Sequence, residues 1–442
     1  MAQPQGSIAA QLGSYFLEQH TFEHERQIAG NIIYKRNTPQ NTVERIVVKY
    51  ARSQHYDYEI DLEEDILRSL WGAEHIIQLL SVVRNGKHTG PIWEEPFARS
   101  LVNPNPILPW KLRIDSDRFP GAGRANFFVM EYLPRGTAEG LIERCNVSHI
   151  PEISEPLLWY FFLCLTRACI AMAYPPRRGG ADPPRIVRET VPHGNEPPSF
   201  LCHFDLHVAN VMFGDFDDDP ETEPVCHQAT PILKVIDFGM AEHVETELDS
   251  VYDNIRSIGE LMHHMAILDS EMLPEDAVRD VYRITNDNGR APYNTYASRG
   301  FCEDPSLSKT FRHIVARCIA VNDGDRPSLR LLQDTCERAV EETPNWRHLA
   351  DEVSELFDVV PTRGGGDDDY VPGGSEGSGE SDAGDNDGWV RGFVLRSEAR
   401  PPAPQNAPAG NFIQPPGNAS AGSSSRRSYS GDDFPSPDPD LL

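Results

Sequence analysis

No two of the eight cysteines stand in a CxxC spacing, and no cluster of lysine and arginine interrupts the acidic composition. The N-terminus, MAQPQGSIAAQLGSYF, has no basic start leading into a long apolar run. The scattered cysteines (145, 164, 169, 202, 226, 302, 318 and 336) do not form a secreted disulfide scaffold and read as reduced, mostly interior thiols. With 68 acidic residues against 40 basic ones, a net charge of −28, unaided binding to nucleic acid or to an anionic membrane is not expected. The missing secretory pattern points to an intracellular location, cytoplasm or nucleus. One stretch imitates a membrane span: PLLWYFFLCLTRACIAMAY, 156–174, is almost wholly apolar. Arg167 at its middle would be costly in lipid, so a helix buried in a large domain is the expected reading.

What is present suffices for a folded body. The 442 residues, 39 % of them apolar, allow two or three compact units. Residues 20–50 alternate as three short antiparallel strands, FEHERQI, NIIYKR and ERIVVKY, separated by Gly30 and by NTPQN. DYEIDLEEDILRSLW, 57–71, places Ile60, Glu63, Ile66, Leu67 and Leu70 at helical spacing before Gly72. The proline-rich stretch 84–125 reads as an insertion ahead of the strand NFFVMEYL, and 175–200 and 214–231 read as two more exposed loops. Helical faces follow at 155–174, 250–268, 274–285, 307–320 and 327–341. The Gly/Ser/Pro/Asp-rich tail, 361–442, cannot bury enough apolar surface to offset chain ordering and is expected to be disordered. It holds 13 acids and 6 arginines, a net of −7, so −21 of the charge belongs to the rest.

Moving the terminal phosphoryl group of a nucleotide calls for metal ions against the phosphates, a cation on them and an acceptor oxygen in line. A strand lysine, a helix glutamate, a loop aspartate, a loop asparagine and a second aspartate occur here in that order as Lys49, Glu63, Asp205, Asn210 and Asp237. Asn210 lies five positions after Asp205, and Asp237 lies 32 after it. Singly, each has an ordinary alternative: a surface lysine at a strand end, a solvated acidic helix face that includes Glu59 and Glu64, and an aspartate in a turn. In this order and spacing they are specific.

The motifs IVVK (46–49), FFVMEYLPRG (127–136), HFDLHVAN (203–210), VIDFGMAE (235–242) and GDRPSL (324–329) resemble those of the eukaryotic-type protein kinase family over about residues 20–345. The resemblance implies an α+β, bilobal fold. Its smaller lobe, a small antiparallel sheet with one main helix, would span 1–133, and its larger, mostly helical lobe 134–350. The disordered tail would follow. Lys49 would contact the alpha and beta phosphates of ATP and pair with Glu63, with Gly30 all that remains of the glycine-rich loop. Met130, Glu131 and Leu133 would line the adenine pocket, the latter two through main-chain hydrogen bonds. Asp205 would accept the acceptor hydroxyl's proton, and Asn210 and Asp237 would bind Mg2+, while His207, also in the catalytic loop, stands where the family usually has a lysine on the transferred phosphate and resembles kinases of small molecules and other atypical members. The implied activity is ATP- and magnesium-dependent phosphorylation of a protein serine or threonine, with unidentified proteins as possible partners of the tail. An ATP-binding pseudokinase and an atypical small-molecule phosphotransferase are the alternatives.

The sequence also departs from the family. Phe204 stands where regulated kinases carry an arginine that grips a phosphorylated activation loop. Only 16 positions separate Asp237 from Asp253, with no APE motif between them, so the activation segment is severely shortened. In YDNIRSIGELM, 252–262, Asp253 is expected to anchor the catalytic loop. Arg326, lacking its usual partner, is expected to pair with Glu242, Glu245 or Glu247, and Pro327 to open a terminal helix in its first turn.

Overall fold

The computed structural model describes residues 8–358 apart from 29–30, 39–41, 52–56, 85–86, 89–125, 177–185, 195, 217–225, 270–280, 286–290 and 344–346. Gly30, nearly all of the 84–125 insertion and the 361–442 tail therefore lie outside the described residues. The described chain is a mixed α/β structure with a small antiparallel sheet and several helices.

The expected strands form β1 (Glu23–Ile28), β2 (Asn31–Asn37) and β3 (Val43–Tyr50), after a helix α1 (Ile8–His20). Helix α2 (Asp57–Ser69) and strands β4 (Leu79–Arg84), β5 (Lys87–His88) and β6 (Phe127–Glu131) follow. The six strands make one sheet in the order β1-β2-β3-β6-β4-β5, with every neighbouring pair antiparallel. Successive side chains of a strand point to opposite faces, and here both faces are covered. Ile32, Tyr34, Ile46, Val48, Phe127 and Val129 pack with Leu12, Tyr15 and Phe16 of α1, while Phe128 and Met130 turn to the main core. The sequence reading assigned no element to α1, although Leu12, Tyr15 and Phe16 stand at the i, i+3, i+4 spacing of a buried helical face.

Beyond the sheet come α3 (Ala138–Val147), α4 (Glu155–Ala173), β7 (Leu201–Cys202), β8 (Val211–Phe213), α5 (Cys226–Ala229), β9 (Leu233–Val235) and β10 (Glu242–His243). Then follow α6 (Glu247–Ile267), β11 (Tyr282–Ile284), β12 (Tyr293–Thr295), α7 (Arg299–Glu303), α8 (Lys309–Cys318), α9 (Leu329–Glu341) and α10 (Arg347–Asp358). Helix α4 is the apolar 156–174 stretch. It is the one helix among the described residues long and apolar enough to cross a membrane, and 94 % of that window is buried inside the protein. Arg167 is accommodated there by Glu337 of α9 at 3.5 Å. Ser308 and Ser328 begin α8 and α9 by accepting the N–H groups of Phe311 and Leu331, which would otherwise lack partners at a helix start.

Four expectations are corrected. The apolar run 274–285 was expected to be helical, but its described end is strand β11, paired antiparallel with β12. Tyr282 and Ile284 favour a pleated surface, and the turn-forming Asn288-Gly289 separates the two strands in sequence. The second and third insertions are not simply exposed: Glu189, His227 and Thr230 are buried, and Val187 N–H donates to Gly72 O. Pro327 stands ahead of the Ser328 cap instead of within the first turn of α9. Arg326 meets none of the three expected glutamates. It pairs with Asp323 at 2.7 Å and donates to Tyr252 O and Ala320 O, because the tight turn Asp323–Asp325 brings a carboxylate to it from three residues away.

Helix α6 packs on α8 at closest range through Gly259. A Cβ added there would lie 2.5 Å from Cys318 Cβ and 2.9 Å from Ile319 Cγ2. Gly259→Ala is expected to lower stability by about 1–3 kcal/mol in urea unfolding, the cost of overpacking a tight contact. An unchanged midpoint would show that the two helices can part without penalty.

Candidate functional site

Four separate pieces of chain carry the polar residues singled out in the sequence. Lys49 ends the run of β3, Glu63 faces inward from α2, Asp205 and His207 follow β7, and Asp237 follows β9. A 3-10 turn, Val208–Asn210, carries Asn210, and β8 pairs with β9 so that Val211 faces Val235. The cleft encloses about 760 Å³, and Ile33, Val47, Ile77, Met130, Leu133, Met212 and Ile236 line its apolar part. Lys49, Glu63 and Asp237 lie at its polar end.

Lys49 Nζ lies 2.6 Å from Glu63 and 2.8 Å from Asp237. The two competing glutamates are accounted for: Glu59 is exposed, and Glu64 pairs with Arg68 one turn along α2. Burial alone would discharge Lys49, but the carboxylates of Glu63 and Asp237 outweigh it and hold the ammonium well above its ordinary range. Burial also opposes ionisation of Asp237, and the Lys49 ammonium overcomes this and draws Asp237 below the usual carboxylate range. One cation cannot keep two buried carboxylates fully ionised. Burial, with the Asp237 charge added to it, pushes Glu63 up to about 7 despite Lys49. The polar end of the cleft is thus short of positive charge.

Asn210 donates its two amide hydrogens to Asp205, at 2.8 Å to the main-chain oxygen and 2.9 Å to Oδ2. His207 Nδ1 accepts the Ala209 N–H, so the neutral ring carries its hydrogen on Nε2, 3.4 Å from Asp205 Oδ1. Asp205 Oδ2 therefore faces a donor, while the side chain keeps 46 % of its surface exposed. Asn210 Oδ1 is buried and, among the described residues, has no hydrogen-bond partner. His203 is held neutral by burial. Its Nε2–H donates to Ile236 O, and its Nδ1 accepts the Asp205 N–H. Phe204 and Asp237 both adopt the left-handed backbone region, φ 58° and 59°, which side chains other than glycine adopt at a cost.

Several contacts were not anticipated from the sequence. The anchor of the 201–210 segment is Asn254, not Asp253: its Oδ1 accepts the His203 N–H and its Nδ2 donates to Leu201 O. Asp253 makes only a 3.5 Å contact with the Cys202 thiol, since it sits one step round the helix from the buried side. Glu131 does more than offer main chain. Its Oε1 accepts the Gln78 N–H and the Lys234 ammonium, both at 2.7 Å, and its own N–H is committed to Gln78 O. Met130 and Leu133 line the cleft as expected. A glutamate and a lysine 103 positions apart give no signal in a single sequence.

No family model matches the chain, and no curated protein matches it.

Two expectations follow from this geometry. Asn254→Ala leaves a buried donor and a buried acceptor unsatisfied and should cost at least about 2 kcal/mol, with increased hydrogen exchange at His203. Exchange equal to that of the unsubstituted chain would deny Asn254 the anchoring role. Glu63 binds its proton more tightly when folded, at about 7, than at its ordinary 4.5. Its contribution is therefore full below about pH 4.5 and is lost as pH rises through about 7. Glu63→Gln, which has no proton to release, should show a flatter stability profile across that window in thermal unfolding. Parallel profiles for the two proteins would contradict the assignment.

Proposed function

We propose that the protein is an ATP- and magnesium-dependent kinase with the two-lobed protein-kinase fold, transferring the γ-phosphoryl group to a protein serine or threonine hydroxyl. The observation that carries this reading is Lys49, held between Glu63 and Asp237 at the polar end of an apolar cleft, with the hydrogen-bonded Asp205–Asn210 pair tied to the same segment by the Ile236 N–H, which donates to Asn210 O. Unused buried lysines and carboxylates are costly, so a cluster of this kind favours work over survival by chance.

Each residue has a role in that reading. The apolar lining around Met130 and Leu133 suits a purine, and Lys49 supplies the cation for its phosphates. Asp205 orients the acceptor hydroxyl and takes its proton as the new oxygen–phosphorus bond forms. The hydrogen bond from Asn210 keeps the carboxylate aimed. The donor set also fits a divalent metal: Asn210 Oδ1 lacks a partner, and Asp237 is drawn towards its ionised form. Magnesium bound by Asn210 and Asp237 would supply the positive charge in which this end of the cleft is deficient. The segment from Phe238 to the start of α6 is nine residues, 238–246, too short for a phosphate-gripped switch, so the activity is constitutive in this respect. Exposed Phe204 at its position agrees.

A second reading, transfer to a small-molecule hydroxyl, is favoured by the same nine-residue segment, which leaves little shelf for a peptide. His207 in contact with Asp205 favours it too.

The test is phosphate release from labelled ATP with magnesium, given a generic protein acceptor and a panel of metabolites. Label is expected on protein, and Asp205→Ala should reduce the rate by about 10²–10⁴-fold. Asp237→Asn should abolish turnover. Label on a metabolite alone would favour the second reading. Saturable stabilisation by Mg-ATP without turnover would make the chain a nucleotide-binding scaffold.

A further inference from the structure

Away from the cleft, three side chains from distant parts of the chain converge in the interior. His75 lies between α2 and β4, Cys164 in the middle of α4, and His227 in α5. They are 0 %, 2 % and 2 % exposed, and their ligating atoms all lie within 4.8 Å of one another. We infer that His75, Cys164 and His227 bind a zinc ion, as a structural site separate from the proposed nucleotide cleft.

The geometry of the two imidazoles is the first argument. His75 Nε2 and His227 Nε2 face each other at 3.3 Å. Two zinc–nitrogen bonds of about 2.0 Å at the tetrahedral angle put their nitrogens about 3.3 Å apart. Cys164 completes a set of two nitrogens and one sulfur, which selects zinc over the oxygen-seeking magnesium and calcium.

The surroundings of His75 are the second argument. Glu189, itself buried, lies 2.7 Å from His75 Nδ1 through Oε2, and its Oε1 accepts the His75 N–H. A carboxylate behind a ligating histidine places the hydrogen on Nδ1, turns the Nε2 lone pair towards the metal and raises its basicity. Charge closes as well. A divalent ion, one thiolate, two neutral imidazoles and one carboxylate sum to zero, which a dry interior requires. An alternative set, Glu74, His75 and Glu189, fails on the same contacts, because Glu189 is already occupied by His75 and Glu74 faces Arg188 at 3.6 Å.

The position gives such a site something to hold. His75 O accepts the Val235 N–H, and Ile77 N–H donates to Val235 O, so the His75 segment is bonded to the strand that leads to Asp237. Zinc would pin that segment to α4 and to the end of the acidic insertion.

The untagged full-length chain, produced in zinc-supplemented medium and passed over a weak chelator, should carry about one zinc per chain by plasma mass spectrometry. A Cys164→Ser, His227→Gln double variant should carry none. The chain produced in cobalt medium should show a thiolate-to-cobalt charge-transfer band that Cys164→Ser lacks, and Glu189→Gln should weaken the metal by about 10–100-fold. The cobalt spectrum of the unsubstituted chain decides the matter even if a variant fails to fold. No charge-transfer band, or zinc retained in the double variant, would overturn the site. None of these readouts depends on ATP turnover.

Discussion

Lys49 Nζ lies 2.6 Å from Glu63 and 2.8 Å from Asp237, and those three side chains come from a strand, a helix and a loop separated by up to 188 positions in the chain. An ammonium in a dry site is tolerable only when compensated, and each carboxylate there is tolerable only beside a cation. The contact therefore links β3, α2 and the 236–239 segment: displacing any of them leaves a buried charge unpaired. It also sets the electrostatics of the cleft. Two carboxylates share one lysine, and Glu63 is pushed upward.

Behind these residues lies a layer of buried polar contacts that hold backbone. Asn254 bonds both sides of the 201–203 strand end, and neutral His203 joins the Asp205 N–H to Ile236 O, tying the two acidic segments together through one ring. The His203 ring also packs against Phe238, with ring centroids 4.7 Å apart. Glu131 clasps Gln78 and Lys234 and fixes β6 against β4 and β9 where the cleft turns. Hydrogen bonds in a low-dielectric interior cost most when left half made, so such groups specify one arrangement of the chain more than they add net stability. The polar residues that touch the cleft are aimed by neighbours that do not.

Much of this was legible from residue order. Period-2 alternation marked β1 to β3, the FFVME run marked β6, helical spacing marked α2, and the resemblance to a known motif order singled out Glu63 within it. Other features failed for identifiable reasons. Asp253 and Asn254 are adjacent, and only the rotation of α6 about its axis decides which is buried. Arg326 was assigned glutamates in place of a lost partner, but a local 3-10 turn supplied Asp323 first. The 274–285 run has an apolar content that fits a helix or a hairpin equally, and pairing with β12 settled its end as a strand. Helix α1 carried a readable face that was passed over because no motif adjoined it.

The sequence by itself determined which residues are available for chemistry and in what order they come, because strand and helix periodicities and the spacing of Asp205, Asn210 and Asp237 are local properties of the chain. Tertiary structure alone decided which charges meet. Glu131 with Lys234, and His75 with Cys164, Glu189 and His227, join segments whose separation in sequence carries no periodic signal. Loops that read as solvent-exposed insertions are drawn into the interior there, because their buried polar side chains find partners only on elements folded from elsewhere in the chain.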